Sequence, residues 1–120
     1  MTPREDVQEF LPLSHVMFHV LASLTARRQH GYGIIKDVEE RTAGRVALEA
    51  GTLYAAIKRL LDSELIQEVA GPAVTDARRR YYGLTPLGKK VLRAEAERLS
   101  ELVDLARSVR VLPPATEGGR

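Results

Sequence analysis

Along residues 13–24 the apolar positions Leu13, Val16, Met17, Val20, Leu21 and Leu24 recur at helical spacing, which predicts a first helix starting after Pro12. Phe18 and Ala22 lie off that stripe and form a second apolar strip on the same helix. A turn through Arg28, Gln29, His30 and Gly31 leads into a second helix over about 31–42, with Tyr32, Ile35 and Val38 expected inward and Gly44 as its stop. Its outer face is Lys36, Asp37, Glu39, Glu40 and Arg41, a solvated surface. The extended stretch at 45–48 leaves room for a short strand at 46–48, and a third helix follows over about 50–61. With Leu53 as origin, Ile57, Leu60 and Leu61 complete an i, i+4, i+7, i+8 apolar stripe. The opposite side carries Gly51, Thr52, Ala55, Lys58 and Arg59, while Tyr54 sits at the border, its ring suited to a core and its hydroxyl to a contact.

Beyond this helix the period shortens. Residues 65–70 and 78–84 read as two strands of a hairpin, with the stretch between them at its tip. Period-two alternation puts Tyr82 and Leu84 on one face, expected inward, and Arg79 and Tyr81 on the other. Three helices followed by a two-stranded hairpin form a winged helix-turn-helix, so the expected class is mainly α (α+β), with this domain over 10–84. Thr85 and Pro86 then supply an N-cap and a first helical residue for a long helix over 85–112. In it Leu92, Leu99 and Ala106 repeat every seven residues, Leu102 and Val109 do so on the neighbouring row, and Ala96 and Val103 widen the seam that Glu95 interrupts. So long an apolar stripe with so little domain to cover it reads as a dimerisation helix, with Phe18 and Ala22 of the first helix as further interface. The competing arrangement packs it across its own first helix. Residues 113–120 read as a disordered tail.

Composition narrows what this scaffold does. At 120 residues, 44% hydrophobic and 28% charged, the chain suits one small domain whose thin core a partner copy would complete. The absence of cysteine excludes disulfides, thiolate nucleophiles and thiolate metal sites. Neither a bilayer-length apolar run nor a secretory signal is legible, so a cytoplasmic protein without membrane contact is the default. Net charge is only +2, so distribution matters more than total, and the cations cluster at Arg27 and Arg28, Lys58 and Arg59, Arg78 to Arg80, and Lys89 and Lys90. Brought onto one face, such clusters are the footprint of a nucleic-acid binder. Gly51 and Ala55 would let the third helix approach a groove closely, Thr52 offers a hydroxyl, and Lys58 and Arg59 supply charge. For the run from Arg78 to Arg80 the competing reading is a solvated strand paired with Glu68 and Asp76. His15 and His19 stand four apart, a spacing that suits a metal, but with no cysteine and no nearby carboxylate triad no metal or other cofactor is expected. No nucleophile with a base and no paired carboxylates point to an enzyme.

Three strings stand in order along the chain: His30-Gly31-Tyr32-Gly33-Ile34, then Gly51-Thr52-Leu53-Tyr54 with Lys58-Arg59-Leu60, then Arg78-Arg79-Arg80-Tyr81-Tyr82 with Leu84-Thr85-Pro86-Leu87-Gly88. Together they resemble the PadR family of bacterial transcriptional regulators, in its short form with a single helix after the wing. The resemblance implies a winged-helix repressor that dimerises through its C-terminal helix, reads the major groove with its third helix and sets its wing beside the phosphate backbone. On that pattern Thr52, Tyr54, Lys58 and Arg59 match the recognition helix, and Arg78, Arg79 and Arg80 the basic wing. The string from His30 to Gly33 is read as structural, its glycines for close contact and Tyr32 for packing. Two positions depart from the pattern: Glu64 stands where glycine is usual before the first wing strand, and Gly83 where a charged residue is common. The expected DNA-facing set is therefore Gly51, Thr52, Tyr54, Ala55, Lys58, Arg59, Arg78, Arg79 and Arg80, and the expected dimer interface Phe18, Ala22, Leu92, Ala96, Leu99, Leu102, Val103 and Ala106. The expected partners are a double-stranded DNA operator with inverted-repeat symmetry and a second copy of the chain. The resemblance also allows a small apolar effector near Met17, Phe18, Leu99 and Val103, although those residues serve equally as dimer core. A winged helix that binds another protein and no DNA is the alternative of a different class.

Overall fold

The computed structural model describes residues 7–72 and 79–115. In chain order the elements are α1 (His15–Ser23), β1 (Gln29–His30), α2 (Gly31–Arg41), α3 (Ala50–Asp62), β2 (Ile66–Val69), β3 (Tyr81–Leu84) and α4 (Pro86–Ser108). The strands form one antiparallel sheet in the order β1-β3-β2. Val20, Leu21, Ile34, Val38, Leu53, Ile57, Leu60, Leu65, Ile66, Tyr82 and Val91 make the core, so every element but the two-residue β1 sends at least one apolar side chain into it. The class is the expected one, a winged helix-turn-helix with a long helix appended.

Where a plain turn was expected at 28–31, the chain makes β1, which covers the free edge of β3 with Gln29 opposite Tyr82 and His30 opposite Tyr81. Gln29 is buried, and its Nε2 donates to the Ser23 carbonyl and to Ser23 Oγ, both at 2.8 Å, which ties the strand to the end of α1. No strand forms at 46–48, because the Val46 N–H is already taken by Thr42 Oγ1 at 3.0 Å. Leu48 turns inward there as a core plug.

Three helix ends share one device. The N–H two residues past the cap reaches the carbonyl five residues back, and the intervening residue is left-handed, the Schellman arrangement. After α2 it is Ala43 at φ 54°, with Gly44 at 80° beyond it, so Gly44 is the second left-handed residue of the stop and not the first. After α3 it is Glu64 at φ 62°, closed by Leu65 N to Leu60 O and Glu64 N to Leu61 O, both 3.0 Å. After α4 it is Arg110 at φ 66°.

α4 divides in two. In its first half Val91 is buried and Leu92 and Ala94 pack on the core, while Gly88 lies so close to the residue before β2 that a Cβ there would run into the Leu65 carbonyl. Glu95 does not interrupt a seam. It is almost fully buried in its own protomer, accepting the Leu13 N–H at 3.0 Å and two bonds from Arg98, Nε at 2.6 Å and Nη2 at 3.0 Å. That half does pack across α1. Past Glu95 the apolar residues Leu99, Leu102, Val103, Leu105 and Val109 are exposed.

Candidate nucleic-acid interface

α3 forms because a strong apolar stripe, Leu53, Ile57 and Leu60 with Ala56, is buried against α1 and α2, so its remaining circumference is left to solvent. Gly51, Thr52, Tyr54, Ala55, Lys58 and Arg59 are all exposed, the expected reading face. At roughly 100° per residue they occupy one continuous arc, with Tyr54 at one edge and Arg59 and Thr52 at the other. Lys58 carries a loose ion pair to Asp62 one turn on, 3.4 Å between two exposed side chains, which leaves its ammonium free to exchange partners.

Tyr54 is half exposed, and it is the hydroxyl end of its ring that packs inside the protein, against Gly31, where a Cβ would collide with the phenol. Gly31 is therefore glycine so that α2 and the Tyr54 ring can touch. Tyr32, expected inward, is 60% exposed. Val38 is inward as expected and Ile35 packs partly buried on the core, but the other inward residues of α2 are Gly31, Ile34 and Asp37, and Tyr32 instead lies parallel to the His30 ring at 6.5 Å with Lys36 Nζ over it at 5.9 Å. Asp37, expected on the solvated face, is buried and pairs with Arg41 at 2.7 Å.

The wing brings Arg79 and Arg80 to the same place. His30, Gly31, Tyr32, Tyr54, Arg79, Arg80 and Tyr82 line a cleft of about 290 Å³ between α2, α3 and β3. Arg79 Nη1 stands 2.9 Å from His30 Nε2. Among the described residues Arg80 makes only a distant ion pair, with Glu68 at 3.9 Å, so the competing reading of a paired, solvated strand holds weakly for it. Arg78, and with it Asp76, lies outside the described residues. A neighbouring depression is bordered by Arg27, Lys36 and Arg79, adding positive charge beside the cleft, although Asp37 and Glu40 also line it. His30 is the N-cap of α2, its Nδ1 accepting the Gly33 N–H at 3.1 Å. Burial, and then the charge of Arg79, hold its imidazole below the usual histidine range.

His15 and His19 meet edge to face at 4.6 Å, and burial followed by the charge of His15 lowers the pKa of His19. Among the described residues no group of three or more metal-ligating side chains converges. No helix among them is long and apolar enough to cross a membrane. Of the residues expected at a dimer interface, Leu99, Leu102 and Val103 are exposed with Ala96, Phe18, Ala22 and Ala106 are half-buried, and Leu92 is half-buried against its own core.

The sequence profile of the Transcriptional regulator PadR-like family matches residues 20–94, from the middle of α1 into the half of α4 that packs on the core. The chain belongs to the PadR-like family. Its members are transcriptional regulators and not enzymes. A relative from Lysinibacillus sphaericus, known only as an uncharacterized protein X, is 30% identical over 94 residues, covering 76% of this chain and 86% of its own. A PadR family transcription regulator from Clostridium difficile R20291 is similar in structure, with a TM-score of 0.67 and 25% identity over 80% of this chain and 98% of that one. The fold is also that of Bacillus subtilis PadR solved in complex with operator DNA, at a TM-score of 0.59 and 22% identity over 68% of this chain and 46% of that one. In this PadR-like sequence His30 and Gly31 read as scaffold, yet both line the cleft; what brings them there is contact with Arg79 and Tyr54, which leaves no periodic sign in the chain.

Proposed function

We propose that the chain is a DNA-binding repressor, acting in the cytoplasm as a homodimer on an inverted-repeat operator. The observation that carries this reading is the shared cleft: the exposed arc of α3 and the wing residues Arg79 and Arg80 meet at Tyr54, so a reading helix and a phosphate-binding arm face the same way. Thr52, Tyr54 and Arg59, with Gly51 and Ala55 allowing close approach, meet the major groove, and Lys58 and the wing arginines, Arg78 included, meet phosphates. The operator complex of Bacillus subtilis PadR supports the same use of this fold. Dimerisation rests on the exposed apolar half of α4. Positions 92, 95, 99, 102, 106 and 109 follow alternating steps of three and four, the spacing of a two-helix seam. Glu95 takes the second of these inside its own protomer, so the seam between copies starts at Leu99, with Ala96, Val103, Phe18 and Ala22 flanking it. Two-fold symmetry then puts the α3 helices into half-sites about 34 Å apart.

DNase footprinting on the region upstream of the chain's own gene tests this. A protected, inverted-repeat segment bound with an affinity that falls steeply with salt is the expected result. Salt-insensitive binding, or no binding to any duplex, returns the fold to a protein-interaction role.

A further inference from the structure

The contact between Arg79 and His30 is incomplete as it stands. Nδ1 of His30 accepts the Gly33 N–H, so it keeps its lone pair, and in the neutral ring the proton resides on Nε2. A guanidinium offers donors and no acceptor. Nε2–H and Arg79 Nη1–H are thus two donors facing each other across 2.9 Å. The other neutral tautomer would satisfy Arg79 but set an N–H against the Gly33 N–H and lose the cap of α2. Neither tautomer satisfies both contacts. An anionic oxygen beside the pair satisfies both, because each donor turns toward it and the ring keeps its cap.

The surroundings suit such an oxygen. The cleft holds two guanidinium groups and no carboxylate among its lining residues, and Glu68, which approaches Arg80, does not line it. Its volume of about 290 Å³ is about ten times the share of one water in the liquid. The imidazole is held in place before any ligand arrives: its backbone pairs with Tyr81, its ring meets that of Tyr81 edge-on at 5.1 Å, and Tyr32 lies parallel to it. Gly31 admits the Tyr54 hydroxyl to the same wall, one helical turn from Lys58 on the exposed arc of α3.

We propose that His30 and Arg79 together hold one phosphate of the DNA backbone in this cleft, the imidazole Nε2–H and the guanidinium converging on the same oxygen beside the Tyr54 hydroxyl. The proposal rests on the DNA-binding reading and adds His30, on an element outside the recognition helix and the wing, to the contacts that fix register. A phosphate contact of this kind carries no base information, so it affects all duplexes in register alike.

The test uses the full chain and the footprinted duplex, with single uncharged methylphosphonates scanned along each strand. For the unaltered protein one position per half-site is expected to lose about tenfold in affinity. His30→Asn keeps a good N-cap and removes the Nε2 donor. It is expected to melt with the unaltered protein, to bind the native duplex about three- to tenfold more weakly, and to lose little more when that same phosphate is neutralised. Arg79→Gln, at an exposed wing position, is expected to abolish the same methylphosphonate effect and to lower the salt slope by about 0.9 for each protomer bound. It decides the matter if His30→Asn does not fold. A His30→Asn protein that folds and binds with unchanged affinity and an unchanged methylphosphonate profile overturns this proposal alone. An unaltered protein that binds no duplex overturns the DNA-binding reading and this proposal with it.

Discussion

Glu64 and Glu95 show how far a single side chain's role depends on where the backbone puts it. Glu64 occupies a left-handed cap position that costs a residue with a Cβ about 1 kcal/mol, and its side chain is exposed. What fixes it there is the backbone: the Schellman bonds of α3, and Thr85 Oγ1 donating to its carbonyl at 2.7 Å. Glu64→Gly keeps all of these and is expected to raise stability by about 1 kcal/mol, read as a higher denaturant midpoint at unchanged slope. Glu95 is the opposite case. The Arg98 guanidinium bonded to it, helped by the Leu13 N–H and opposed by burial, holds its carboxyl below the usual carboxylate range. A depressed pKa in the folded state means that the stabilisation is complete above the ordinary carboxylate pKa and is lost as the pH falls through the folded value. The melting temperature of the unaltered protein is therefore expected to fall on acidification in that window. Glu95→Gln melts lower at neutral pH and shows a shallower acid dependence. Equal acid slopes in calorimetry would remove Glu95 from the account.

Among the elements, α3 carries the most information in its own sequence, since its buried stripe and exposed arc follow from periodicity alone. The salt dependence of binding belongs to this scale. Lys58→Ala is expected to weaken binding to all duplexes alike and to reduce the slope of log affinity against log salt by about 0.9 for each protomer engaged. A fluorescence-anisotropy titration at several salt concentrations checks it, and an unchanged slope takes Lys58 off the phosphate. In α2 the apolar residues fit two frames one residue apart that share Val38, and Gly31, whose missing side chain lets Tyr54 in, goes with the frame that buries Ile34 and not Tyr32. β1 was invisible to pattern because a two-residue strand has no period; it exists because β3 has an edge to cover and Gln29 has Ser23 to hold.

At the scale of the whole molecule, α4 reaches beyond the core it helps to build. A helix of 23 residues is about 35 Å long, and its first half is used up within the protomer. The remainder leaves Leu99, Leu102, Val103, Leu105 and Val109 exposed along one stretch of helix, the kind of apolar patch that marks an interaction surface. The double change Leu99→Asp with Leu102→Asp is expected to halve the mass seen by light scattering while the winged-helix domain keeps its fold. Operator affinity is expected to drop by about a hundredfold or more, because the second half-site contact ceases to be intramolecular. A variant that stays dimeric by light scattering would place the seam elsewhere.

The sequence by itself determined the order of the four helices and the wing hairpin, the winged-helix class and the exposed face of α3, because those depend on local periodicity and capping that each segment carries alone. It also held the motifs by which the family is recognised. The tertiary structure decided what no single segment contains: which frame of α2 faces inward, that Glu95 braces residue 13 instead of breaking a seam, and that His30 stands against Arg79. Those partners lie 82 and 49 positions apart in the chain. Pairings of that separation leave no periodic trace, since they are set by how helices and sheet pack, and packing is a property of the folded chain as a whole.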